Sequence, residues 1–267
     1  MTQKRAAVQI LWVVLALGLW QCIALATNNS RVAPSMGYIV RESYPSFAIF
    51  GNSSDNNYAE ATRVLSWHAF QTLKRALWGI VVGGLTGVGA GLTVFSLRVG
   101  RSSARILLVA LMNVPLFSLI PLFVYWFSGR EFGIVLYVVL AIGILVAAAT
   151  YEAATNLPLA YFWRASLAGE GHISSLRSIV LPALIPELLL TFRWVIGLTW
   201  AFTLGAEYLS SRSSGCGFLA YESYLYADVG KLLVLGTVYA ILGYSSVSIF
   251  NIATSRLLPQ QFLALRR

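Results

Sequence analysis

Few side chains in this 267-residue chain could do chemistry, and their spacing excludes most of it. His68 and His172 are the only histidines. If the apolar runs cross a membrane in alternation, the two fall on opposite sides and cannot share a metal site or a triad. Cys22 and Cys216 form no cysteine framework, and a bridge between them cannot be read from sequence. Gly83, Gly87 and Gly91 have the look of a phosphate loop, but no Gly-Lys-Ser/Thr follows and no strand precedes them. No ATP site is expected. The most informative charge is Arg193, near the middle of an apolar run, where an ionisable group is costly and usually faces a partner or a water-filled path. It has two readings of equal weight. One puts it on a polar path, where it would attract an anion; the other makes it a structural arginine bonded to carbonyls or to an acid on a neighbouring helix. Glu207 follows two heptads later, on nearly the same helical face but far along the axis. Glu187 reads as a local cap or pair, and Trp194, Trp200 and Phe202 as packing rather than a substrate cage.

The elements that would hold these residues are membrane helices. The chain is 58% hydrophobic and only 11% charged, with a mean hydropathy of +0.73. A soluble domain carries roughly a quarter charged residues. Apolar runs of about 20 residues suit helical spans, and helices are required because lipid-exposed backbone must satisfy itself. The runs lie at about 6–26, 76–95, 106–127, 132–151, from Leu181 onward, and 230–250. That makes an all-α, polytopic membrane protein with about six spans. The first run has the shape of a signal peptide, but Gln21-Cys-Ile-Ala-Leu-Ala is a poor cleavage site, so a retained helix is expected. Residues 27–75 form an extracytoplasmic segment. Its last part carries Ala61, Val64, Leu65, His68 and Leu73 at amphipathic helical spacing. Gly83, Gly87 and Gly91 place small residues on one face of the second span, which permits close helix approach in lipid. Pro115 and Pro121 predict a kinked third span.

The net charge of +9 follows topology rather than nucleic acid, which is excluded as a partner. Lys4, Arg5, Arg98, Arg101, Arg105, Arg164, Arg177, Arg256, Arg266 and Arg267 fall on one side of alternating runs. The short loops opposite carry only Arg130, Arg212 and Lys231. By the positive-inside rule the N- and C-termini are cytoplasmic.

The longest polar interruption of the second half is Trp163-Arg-Ala-Ser-Leu-Ala-Gly169, nine residues, then Ile179-Val-Leu181-Pro182. It resembles the cytoplasmic Glu-Ala-Ala loop of the membrane subunits of bacterial ABC importers: Glu-Ala-Ala, three residues, Gly, nine residues, Ile-x-Leu-Pro. Gly169, Ile179, Leu181 and Pro182 fall in register, whereas the triplet positions hold Trp163, Arg164 and Ala165. A literal Glu152-Ala153-Ala154 would need Gly at Pro158 and is a decoy. Gly169 permits a corner, and Pro182 is tolerated in the first turn of the next helix.

Two further stretches resemble the nitrate/sulfonate/taurine subgroup of that family. Asn113-Val-Pro115, running to Ile120-Pro121-Leu122 and Trp126-Phe127, matches its Pro-x-Pro segment except that Asn113 stands for the first proline. Leu181-Pro182 and Pro186, with Arg193, Gly197, Trp200 and Ala206-Glu207, match the next segment, and Gly215-Cys216-Gly217-Phe218 the turn after it. The spacing from Thr191 to Arg193 is one residue short if Thr is the anchor. The likeness runs from about Trp67 onward, and the stretch 27–57 departs from it.

The resemblance implies a type I ABC importer-like transmembrane domain, a single permease domain over 1–267 with a cytoplasmic coupling loop at 152–180. Its coupling residues would be Trp163, Arg164, Ala165, Gly169, Ile179, Leu181 and Pro182. Its translocation path would include Arg193, Trp200, Glu207 and Asn113. The implied partners are a cytoplasmic ABC ATPase dimer that holds ATP and Mg, a second permease copy, an extracytoplasmic solute-binding protein and membrane lipid. No cofactor, metal or catalytic residue is expected in this chain, and the implied place is the bacterial plasma membrane. The implied solute is a small one such as nitrate, a sulfonate or taurine. A secondary transporter or channel acting alone would want paired ionisable groups or broken helices in two repeated halves. A membrane-embedded enzyme would want His, Asp or Glu clustered at one depth. Neither pattern is found.

Overall fold

The computed structural model describes residues 2–51, 56–97, 101–158, 160–161, 163, 167, 169, 171–210 and 214–257. Every regular element among them is helical. In chain order the main helices are α1 (Thr2–Thr27), α2 (Tyr58–Ser96), α3 (Arg101–Asn113), α4 (Ile120–Phe127), α5 (Glu131–Thr155), α6 (Leu176–Ser210), α7 (Cys216–Leu225) and α8 (Val229–Leu257). Four of these, α2, α5, α6 and α8, are long and apolar enough to cross a membrane. The pair α3 and α4 makes a fifth crossing if counted as one, and the described apolar part of α1, Leu11–Thr27, is shorter. The expected runs are therefore all helical, but only four meet the length of a span unaided.

The chain divides into two compact units, 1–71 with 214–239 and 72–213 with 240–267. In the first, α1 exposes Leu11, Trp12, Val13, Val14 and Leu15 in succession. A helix apolar all round cannot be solvated by water and belongs in lipid or in a core. The outer segment follows as short turns, among them a 3-10 helix Pro45–Gly51 that buries Phe47 and Ala48. The first part of α2 buries Ala61, Val64, Leu65 and His68, the stripe that the spacing predicts.

In the second unit α5 is the central helix. Ile134, Tyr137, Val138, Ala141, Ile142 and Val146 are buried with Leu116, Ile120, Val195, Phe202 and Ala206 in one core cluster. Three large rings meet there, Phe202 against Phe117 with centroids 4.8 Å apart and edge-on to Tyr137 at 6.2 Å. The glycines of α2 set how near α5 comes. A Cβ built on Gly83 would lie 2.7 Å from the Val139 carbonyl oxygen, and one on Gly87 2.7 Å from that of Gly143. One on Gly91 would collide with the carbonyl of Ala147. The small-residue face predicted from the spacing is a backbone-to-backbone contact.

The third span differs from expectation. It is broken rather than kinked: α3 and the helical stretch Leu116–Phe127 meet at 83°. Pro115 has no N–H for the ladder and holds Val114 away from helical geometry. It stands at φ −67°, ψ 96° before a 3-10 turn, Leu116–Leu119. Pro121 does not bend a helix at all, because it sits in the first turn of α4, where its missing N–H is not needed.

Candidate functional site

The densest polar structure inside the second unit is built on Arg75 of α2. The Arg75 side chain is fully buried and lies between two carboxylates. Its Nη1 donates to Glu207 Oε1 of α6 at 2.6 Å. Its Nε donates to Glu131 Oε2 of α5 at 3.0 Å, and Nη2 reaches the same oxygen. Thr72, one turn earlier on α2, donates to Glu207 Oε2 at 2.9 Å. Lys74 Nζ closes the outer side on Glu131 Oε1 at 3.2 Å. Glu207 is as buried as Arg75, whereas the Lys74 and Glu131 side chains are 41% and 45% exposed. A buried charge is stable only when paired and hydrogen-bonded. The guanidinium fork lets one cation hold two carboxylates at once.

Of the predicted path residues, only Glu207 belongs to this cluster. Arg193 is exposed on α6 and has no ion pair or hydrogen bond among the described residues. Trp200 is buried, and its indole N–H has no partner among the described residues. Asn113 is exposed at the end of α3, where Nδ2 donates to the Val109 carbonyl at 2.8 Å. Phe202 is core and Trp194 is exposed. Sequence reasoning missed Arg75, Lys74 and Glu131. A signal was present: the buried stripe Ala61, Val64, Leu65, His68 continues at helical spacing through Gln71, Thr72 and Arg75. A mid-helix arginine on a buried face demands acids.

The coupling stretch is partly described. Trp163 and Leu167 are helical and stand 67% and 88% exposed. Gly169 has φ +69°, the left-handed corner that glycine permits. Arg164 and Ala165 lie outside the described residues. From His172 the chain is helical again and enters α6 through a π-turn, Leu176–Val180, in which the Leu181 N–H bonds to the Leu176 carbonyl. The wider turn suits Pro182, which has no N–H to offer and would crowd the carbonyl four residues back. Ile179 and Leu181 are half-buried, and Val180 and Leu184 anchor the junction against Ala154 of α5 and Leu188.

In the first unit, His68 holds the Gly215 turn. Its Nδ1 lies 2.9 Å from the Gly215 N–H and 3.0 Å from the Gly215 carbonyl oxygen, and its ring stacks on Phe218. Gly215 has φ +127°, which explains a glycine there. Lys231, read from sequence as a loop charge, is buried. It pairs with Asp228 at 3.6 Å and lies over the rings of Phe47 and Phe50 at 5.7 and 5.4 Å. No group of three His, Cys, Asp or Glu able to hold a metal occurs among the described residues.

Several apolar crossings and a helical corner before the penultimate one make this a polytopic membrane protein. Residues 79–259, more than half of the chain, match the model of the family described as binding-protein-dependent transport system inner membrane component, and the chain belongs to that family. It is 27% identical over 218 residues to the Escherichia coli (strain K12) protein named as an aliphatic sulfonates transport permease, SsuC, covering 80% of each chain. It is 26% identical over 200 residues to the Bacillus subtilis (strain 168) protein of the same name, covering 73% of this chain and 72% of the relative. The fold is similar to a chain in the crystal structure of inward-facing conformations of the MetNI methionine ABC transporter. The TM-score is 0.61 at 14% identity, covering 75% of this chain and 97% of that one. The chain is thus a multi-pass inner-membrane transport subunit.

Proposed function

We propose that this chain is the membrane half of an ATP-driven importer for a small oxyanion such as a sulfonate, taurine or nitrate. Two copies pair in the membrane, a cytoplasmic ATPase dimer holds ATP and Mg, and an external binding protein delivers the solute. The observation that carries the reading is the coupling stretch. Trp163 and Leu167 offer two large exposed apolar side chains, ahead of the Gly169 corner and a continuous helical path from His172 into α6. A tryptophan buried in a partner groove is a frequent interface hot spot. The path reading for Arg193 is supported by its neighbours: Leu190, Arg193, Trp194, Gly197 and Ala201 form a face of α6 that is exposed among the described residues. A second copy would cover it. The sulfonate class rests on the named relatives.

The test is copurification followed by ATP-dependent uptake in proteoliposomes. The tagged permease is expected to bring down an ATPase, and Trp163→Ala is expected to weaken that assembly by more than about 1 kcal/mol. Crosslinking from position 163 that captures only lipid, with full ATPase retention by the Ala variant, would refute the docking role. Topology is checked by cysteines added one at a time to a Cys22→Ser background, in which the remaining Cys216 is buried. Asn57→Cys is expected to react with an impermeant thiol reagent from outside, and Ser174→Cys only after the membrane is opened. The reverse pattern removes the coupling assignment.

A further inference from the structure

We propose that Lys74, Arg75 and the first turn of α5 form a reception site for a small monovalent oxyanion, closed in this structure by the carboxylate of Glu131. The proposal rests on the oxyanion reading above and assigns it a place. Both Glu131 oxygens are taken by cations of α2: Oε1 by Lys74 Nζ at 3.2 Å, Oε2 by Nε of Arg75 at 3.0 Å and by its Nη2. That is the donor set a sulfonate, nitrate or carboxylate ligand requires, two parallel N–H donors from a guanidinium and one ammonium.

The cradle outlasts the departure of Glu131. Arg75 is anchored on its far edge by Glu207 at 2.6 Å, and both side chains are fully buried. Thr72 holds the other oxygen of Glu207 at 2.9 Å. The Nε edge therefore stays aimed where it is when Glu131 moves.

Glu131, in contrast, sits at the exposed edge of the cluster, held by Lys74 and Arg75 bonds that an incoming anion can take over. It is the first residue of α5, its side chain is 45% exposed, and Arg130 before it is extended at φ −70°, ψ 154°. Turning the side chain outward disturbs none of the α2–α5 glycine contacts, which lie further along both helices. An anion taking its place also meets the N-terminus of α5, a 25-residue helix whose N–H groups bond to the Arg130 carbonyl only from Gly133 onward.

Charge decides the exchange. Lys74 and Arg75 balance Glu131 and Glu207, so a monovalent anion that replaces the Glu131 carboxylate leaves the local charge unchanged. No uncompensated charge is buried at any point, which is the condition that usually forbids ionic traffic in such a place. A divalent anion would break that balance, so monovalent solutes are favoured.

The experiment uses the importer assembled with its ATPase in detergent, titrated with sodium ethanesulfonate against sodium chloride at constant ionic strength. The readout is the shift in thermal unfolding midpoint of the permease. Glu131→Gln replaces the competing carboxylate by a weaker, neutral acceptor and leaves the donors in place, and the half-saturating ethanesulfonate concentration is expected to fall at least tenfold. Lys74→Gln in the otherwise unchanged protein is expected to raise it at least threefold, which keeps the test decisive should Glu131→Gln not assemble. An unchanged half-saturation in both variants, no saturable shift in any of the proteins, or an equal response to chloride overturns the site. Uptake of ethanesulfonate by the intact importer separates the two ideas. Transport with unaltered binding by the variants ends this proposal and leaves the function standing. No uptake of any oxyanion ends the function instead.

Discussion

Arg75→Met is expected to lower the unfolding free energy of the permease by about 3–5 kcal/mol, the usual cost of leaving one partner of a buried ion pair alone. Glu207 is wholly buried and is held by Arg75 and Thr72. Without the guanidinium, its carboxylate loses the cation that balances it in a low-dielectric interior. Unfolding in detergent, followed by tryptophan fluorescence, measures the loss. The double variant Arg75→Met/Glu207→Gln is expected to recover most of it, because exchanging both members of a buried pair for neutral groups of similar size is often nearly free. A single-variant cost below about 1 kcal/mol, the range of an exposed pair, would show that the cluster is open to water. Little recovery in the double variant would place the stabilisation in packing rather than charge.

This cluster marks where the sequence ceased to be legible. Hydropathy places the start of the second span at Ala76, because Lys74 and Arg75 end the apolar window. Yet α2 continues through them without a break. The partners that make Arg75 tolerable lie 56 and 132 residues away in the chain. No local pattern announces a pairing at that distance. Only the continued buried stripe from Ala61 hinted at it. Arg193 shows the converse. The cost of a mid-span charge predicts either a partner or a water-filled path, and the described residues of this chain supply no partner, so water or another molecule must meet the cost. The third span failed for a different reason. Two prolines announce lost hydrogen bonds, but whether a helix bends or breaks depends on whether the next turn can restart. Pro121 lets it restart within six residues of Pro115.

Where the sequence was most legible, the cause was steric and local. Glycines at four-residue spacing specify a flat helix face whatever the partner, and α5 is that partner. Gly87→Ala is therefore expected to destabilise the permease by about 1–3 kcal/mol, the cost of overpacking a close contact. The added Cβ would stand 2.7 Å from the Gly143 carbonyl oxygen, 2.8 Å from Val146 Cβ and 3.1 Å from the Ala147 nitrogen. Two of those are backbone atoms of α5 and cannot rotate away, so the helices themselves must part. Parting them also strains Gly83 and Gly91, which touch α5 in the same row. Gly89→Ala is the matched control. It is the same change two residues on, with no atom within 4 Å of the new Cβ, and alanine's higher helix propensity should stabilise the protein by up to about 1 kcal/mol. Opposite signs for one chemical change on one turn of helix are hard to obtain except from the contact itself. Unfolding midpoints of the two variants in the same detergent provide the comparison. If Gly87→Ala proved as stabilising as Gly89→Ala, the close approach of α2 to α5 would be wrong, and with it the packing that sets Arg75 beside Glu131.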